Sequence, residues 1–135
     1  MSVTINLPRI LRVGAGASLE LVATLAELRV KRPLLVTDAF MVQQGYSDRI
    51  TQQLDGAGIA YGLYDQCVPD PTTDSLNEAL AVLRSGDYDS VVALGGGSSM
   101  DTAKAVAAMA TLNGHIRDYK VPHQIDSGLP IIAIP

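Results

Sequence analysis

Short apolar runs alternate with longer segments of helical period five times along the chain, and no other feature constrains the fold as much. The runs Pro8–Val13, Pro33–Asp38, Ile59–Asp65, DSVVALGG (residues 89–96) and Leu129–Pro135 read as strands. PLLVTD, Pro33–Asp38, is apolar at successive positions, as a strand buried on both faces requires. Between the first two runs, SLELVATLAEL puts Leu21, Leu25 and Leu28 on one helical face, with Ser18 as N-cap. YSDRITQQLDGAG is amphipathic on Ile50 and Leu54 and stops at Gly56 and Gly58. LNEALAVL carries Leu76, Leu80 and Leu83, with Thr73 or Asp74 as cap, and SSMDTAKAVAAMATL is a helix after the fourth run. Strand–helix alternation of this kind predicts an α/β fold: a Rossmann-like parallel sheet, helices on both faces, right-handed crossovers. Ligands of such sheets bind beyond the carboxyl ends of the strands.

The 135 residues suffice for one domain, and 47% apolar against 18% charged residues gives it a packed core. A net charge of −4 argues against a nucleic-acid partner, which needs a basic face. Cys67 is the only cysteine, so no internal disulfide forms, which fits a reducing, cytoplasmic setting. MSVTINLPRI lacks the basic-then-apolar build of a secretory signal. No apolar stretch approaches the roughly 20 residues of a membrane span. His115 and His123 stand eight positions apart in a polar segment, which is not ligand spacing, so no metal site is expected in this chain. The chain ends just after an apolar run that nothing later could cover, which points to a piece of a longer protein.

Chemistry concentrates where the fourth run hands over to its helix, in ALGGGSSMDTAKAVA. Glycine lacks Cβ, accepts positive φ and lets a ligand approach the backbone. The helix that follows begins with free N–H groups and the positive end of its dipole. Gly95–Gly97 with these groups make an anion site suited to a pyrophosphate, and Ser98 and Ser99 can add hydroxyl donors. A plain strand-to-helix turn, with Ser98 and Asp101 as an S-x-x-D capping box, uses the same residues, and both readings can hold at once. The usual G-x-G-x-x-G fingerprint is absent, and GAGAS at Gly14–Ser18 is read as a turn.

Asp38 ends a buried run, where its carboxylate can accept both hydroxyls of a ribose or cap the helix starting at Ala39. Asp70 sits between two prolines, where turn chemistry accounts for it. Lys104, three residues past Asp101, reads as an exposed helix ion pair, and Met100 and Met109 as packing residues.

With these residues assembled, the sequence resembles the nucleotide-binding half of the iron-containing (group III) alcohol dehydrogenases. LLVTDAF, VPDPT, GGGSSMDTAKAVA and LPIIAIP fall in the family's order and spacing, and the likeness covers essentially all 135 residues. The resemblance implies a two-domain oxidoreductase. Residues 1–135 would be its NAD(P)-binding domain, and a helical C-terminal domain absent from this chain would hold Fe2+ through one aspartate and three histidines. It implies hydride transfer between a small alcohol or aldehyde and nicotinamide, and a homodimer or larger homo-oligomer. By resemblance, Asp38 contacts the adenosine ribose, and Gly96, Gly97 and Ser98 hold the pyrophosphate. The position of Asp70 is often asparagine in the family; aspartate is a departure, because a carboxylate cannot donate a hydrogen bond. No catalytic residue or metal ligand is carried over to this chain, so the chain alone is expected to be inactive. A carboxylate at residue 38 would repel the 2′-phosphate of NADP, so NAD is the expected cofactor. Other superfamily chemistries stay open: maleylacetate reductase, zinc-dependent glycerol dehydrogenase, a dehydroquinate-synthase-like lyase. So does a nucleotide-binding module without catalysis.

Overall fold

The computed structural model describes residues 1–5, 7–119 and 127–135. Its elements in chain order are α1 (Leu21–Leu28), β1 (Pro33–Val36), α2 (Ala39–Gln43), α3 (Tyr46–Gly56) and β2 (Gly62–Tyr64), then α4 (Thr73–Arg84), β3 (Ser90–Leu94), α5 (Gly97–Met109) and β4 (Ile131–Ile134). The sheet runs β2-β1-β3-β4 with every pairing parallel. This is the α/β architecture that the alternation predicts.

The apolar runs work because both faces of the central strands are covered. Leu34, Val36, Val91 and Ala93 face α4 and α5, where Ala79, Leu80, Leu83, Ala103 and Val106 complete one core. Leu35, Val92 and Leu94 alternate onto the other face, against Leu21 and Leu25 of α1 and Ile50 and Leu54 of α3. Every residue of β1 and β3 is buried. Neighbouring strand positions thus feed opposite layers, which is why the sequence shows continuous apolar runs instead of alternation. β2 and β4 are the edge strands, and Ile131 of β4 is 40% exposed.

Three sequence expectations are corrected. Pro8–Val13 forms no strand; Leu11 and Val13 stand exposed. A strand needs a neighbour to take its backbone bonds, and this segment is tied down by one guanidinium instead. Arg12 donates to Glu20 at 2.7 Å, Glu27 at 2.9 Å and Thr24 Oγ1 at 3.0 Å, laying the segment on α1. Ser18 caps nothing: it lies in a 3-10 turn, Ala17–Glu20, that precedes α1 and starts at Gly16 with φ 81°. The cap of α4 is Thr72, one residue before the expected pair. Thr72 Oγ1 accepts from Ser75 N–H at 3.2 Å, and Ser75 Oγ accepts from Thr72 N–H at 3.0 Å, a reciprocal box. His123 and part of the polar segment before β4 lie outside the described residues. Among the described residues no helix is long and apolar enough to cross a membrane.

Candidate functional site at the carboxyl ends of the central strands

From β1 the chain steps outward to β2 and then returns past β1 to β3. The direction of winding therefore reverses between β1 and β3. The connection after β1 leads to α3 on one face, and that after β3 leads to α5 on the other. A crevice opens between two such diverging loops, and it is where ligands of open parallel sheets bind. Asp38 is in the first loop and the glycine run in the second.

The floor of the crevice is tied together by hydrogen bonds. Thr37 is fully buried, and its hydroxyl donates to Leu94 O at 2.8 Å, fastening the end of β1 to the end of β3. Thr37 N–H donates to Tyr64 O at 2.8 Å, and Gly95 N–H to Ile134 O at 3.1 Å. All four strand ends are tied laterally at the level where the loops begin.

The three glycines are not equivalent. Gly95 is buried with φ 126°, a conformation that side-chain-bearing residues rarely adopt. A Cβ there would also lie 3.1 Å from Ser99 Oγ and 3.4 Å from Asp38 Oδ2. Gly95 is glycine for the sake of the fold. Gly96 has φ −78° and ψ −163°, which any residue adopts, and Gly97 is the first residue of α5. Both are exposed, and a Cβ on either would meet no atom within 4 Å. Nothing in the chain's own packing demands glycine at these two positions. The space that side chains would occupy is left open over the start of α5.

That start presents donors. The first intrahelical bond of α5 runs from Met100 N–H to Gly96 O at 3.1 Å. The N–H groups of Gly97, Ser98 and Ser99 therefore have no partner inside the helix. The S-x-x-D box is not formed: Gly96 is the N-cap, no side chain caps the helix, and Ser98 already lies inside it. The physical reason is that α5 starts two residues earlier than a Ser98 cap would require, as soon as Gly95 has made the turn. Ser98 is half-buried at the mouth of the crevice, and Ser99 is fully buried beneath it.

Asp38 caps α2, with Oδ1 accepting from Met41 N–H at 2.9 Å. Its Oδ2 has only a long contact, 3.4 Å, from the Ser99 hydroxyl. A carboxylate offers about four acceptor positions, so Asp38 keeps capacity for hydroxyl donors while it caps. Asp70 is exposed in the loop after β2, with φ 52°, a left-handed position that aspartate tolerates better than most residues. It stands at the same edge of the sheet. Asp101 is on the exposed side of α5, 3.6 Å from Lys104, the ion pair that the spacing predicts. Met109 is buried and Met100 packs against the same core.

Cys67, which no sequence motif ties to the site, lies beneath it. Its N–H donates to Thr37 O at 3.2 Å, and its thiol meets the hydroxyls of Thr102 and Ser99. Burial, foremost, pushes the thiol up from its ordinary range, and the carboxylates of Asp38 and Asp65 add to that; the two hydroxyls pull the other way. No local signal marks Cys67, because its neighbours come from other elements.

Comparison with known proteins identifies the family. The sequence model of the iron-containing alcohol dehydrogenases matches residues 8–135. The NAD-dependent methanol dehydrogenase of Bacillus methanolicus is 33% identical over 123 residues, 90% of this chain and 32% of that protein. Long-chain-alcohol dehydrogenase 1 of Geobacillus thermodenitrificans is 36% identical over 132 residues, 95% of this chain and 33% of that protein. Among solved structures, NADH-dependent butanol dehydrogenase A of Thermotoga maritima superposes with a TM-score of 0.82 at 28% identity, covering 89% of this chain and 31% of that one. Sulfoacetaldehyde reductase of Bifidobacterium kashiwanohense, solved with NAD+, gives 0.81 at 28% identity over 90% of this chain and 32% of that one. The chain spans about a third of the length of these relatives. With its sheet, its glycine junction and 128 of its residues (8 through 135) matched, the chain belongs to the iron-containing alcohol dehydrogenase family.

Proposed function

We propose that this chain is the NAD-binding domain of a longer, two-domain alcohol dehydrogenase. The intact enzyme transfers a hydride between a small alcohol or aldehyde and nicotinamide. One observation carries the reading: Gly96 and Gly97 leave open space over an uncapped helix start, and neither φ nor packing requires glycine there. A pyrophosphate in that space takes the N–H groups of Gly97 and Ser98 and the Ser98 hydroxyl. Asp38 then faces the adenosine ribose from the facing loop, and Asp70 lines the same edge. Asp101 is read as a cofactor-side residue of the same junction, whereas Ser99, expected there as a hydroxyl donor, has no exposed surface and can act only from beneath. The names of the relatives, NAD-dependent and NADH-dependent dehydrogenases, support NAD as the cofactor.

Iron is assigned no ligand among the described residues of this chain. Among the described residues no three His, Cys, Asp or Glu side chains gather to hold a metal ion, and no step is assigned to one here. The metal and the alcohol pocket belong, in this reading, to the rest of the enzyme, which works in the cytoplasm as a homo-oligomer. The 135 residues alone are expected to turn over no alcohol.

The test is Gly97→Val in the intact enzyme. The added side chain should weaken dinucleotide binding at least about tenfold, roughly 1.4 kcal/mol, in a calorimetric titration. Because no protein atom obstructs it, the melting temperature should hardly move. Unchanged cofactor affinity in the folded variant would reduce the junction to a turn.

A further inference from the structure

We propose that Ser99 is a positioning residue for cofactor choice: it fixes the Asp38 carboxylate from below and does not itself touch the dinucleotide. The inference rests on the reading of Asp38 as the ribose contact. Ser99 has no exposed surface, so it reaches the crevice only through another side chain. The side chain within its reach is Asp38, 61 residues earlier in the chain, at 3.4 Å.

The two oxygens of Asp38 are held differently. Oδ1 is fixed by Met41 N–H at 2.9 Å, at the start of α2. That bond alone leaves the carboxylate free to turn about it. The Ser99 hydroxyl supplies the second point, and two held oxygens together with the covalent bond to Cβ fix the plane. A carboxylate only accepts, so Ser99 must be the donor. At 3.4 Å the bond is long against the usual 2.7–2.8 Å for hydroxyl donors, and such contacts commonly tighten when the ligand arrives.

Gly95 leaves room beside this contact: a Cβ there would lie 3.1 Å from Ser99 Oγ and 3.4 Å from Asp38 Oδ2 and would crowd both.

The orientation of the carboxylate decides discrimination. Aimed at the ribose it accepts the hydroxyls of NAD, and in the same orientation it faces the 2′-phosphate of NADP. Loosened, it does both less well. Ser99→Ala in the intact enzyme should therefore lower the ratio of kcat/KM for NAD over NADP by roughly threefold to tenfold, with the loss in the KM for NAD more than in kcat. Ser99→Cys, a weaker donor of similar size, should fall between. In an Asp38→Gly background the same substitution should change nothing, because there is no carboxylate to hold. An undiminished effect in that background, an equal loss with both cofactors, or an unchanged ratio in Ser99→Ala would overturn the proposal and leave Ser99 a packing residue. Should Asp38→Gly alone fail to alter the ratio, it is the reading of Asp38 that falls, and the role of Ser99 with it.

Discussion

Asp38 and Asp89 stand at opposite ends of the same two strands, and they are used in opposite ways. Asp89 precedes β3 at its amino end. Its Oδ2 accepts from Lys31 N–H at 2.7 Å, and its Oδ1 accepts from Arg32 N–H and the Ser90 hydroxyl at 3.0 Å each. Burial pushes its carboxyl up, but these donors outweigh it and hold the group below the usual carboxylate range. Asp89 staples the entry of β1 to the entry of β3, and its acceptor capacity is spent within the chain. Asp38, after the carboxyl end of β1, meets one backbone donor and one distant hydroxyl. At the amino ends the two segments enter side by side and offer their N–H groups. At the carboxyl ends the loops part to opposite faces, and the carboxylate between them is left with room. The same residue type is structural where the chain converges and free for a ligand where it diverges.

The contrast can be broken from either side. The largest expected effect is on stability. Asp89→Ala should cost about 2 kcal/mol in urea unfolding, since two strand-entry N–H groups lose a charged acceptor, and it should leave cofactor affinity alone. Because the folded carboxyl is depressed, its contribution is present above the unfolded value and is lost as the pH falls through the folded one. The stability gap between wild type and Asp89→Asn should therefore close in acid, below about pH 4.

Asp38 should answer in the other currency. Two like charges about 4 Å apart repel by roughly 4 kcal/mol at an effective dielectric of 20, and a third of that gives about a tenfold preference. Wild type should prefer NAD by about that factor, and Asp38→Gly should relax or reverse the ratio of kcat/KM values. Glycine is itself an acceptable N-cap, so the stability cost should be only a few tenths of a kcal/mol. A wild type that prefers NADP would make Asp38 a cap and nothing more. The smallest effect belongs to a third carboxylate. Asp101 and Lys104 are 68% and 67% exposed, and Lys104→Ala should change stability by less than about 0.5 kcal/mol.

The central strands and their helices are legible in the sequence because each run carries its own signal. PLLV is apolar throughout and SVVAL after its first residue, with Pro33 opening the one and Gly95 closing the other. Pro8–Val13 carries the same local signal and forms no strand, since the signal does not say whether a neighbour is there to pair. Thr72 displaced the expected Thr73 or Asp74 because four capping residues crowd one turn, and their propensities differ by less than the geometry of a single reciprocal bond.

What the sequence determined by itself is the alternation, the class of fold, and the presence of a glycine junction where an α/β sheet binds its ligands. These depend on period and composition over short windows. Tertiary structure alone decided which glycine does what. Gly95, Gly96 and Gly97 are identical letters, and only φ and the atoms nearby separate the one the fold requires from the two it leaves open. It alone joined Asp38 to Ser99 and Cys67, residues whose meeting depends on strand order and on loops leaving by opposite faces. Period is a property of neighbours in the chain, whereas a side chain's free acceptor is a property of everything packed around it.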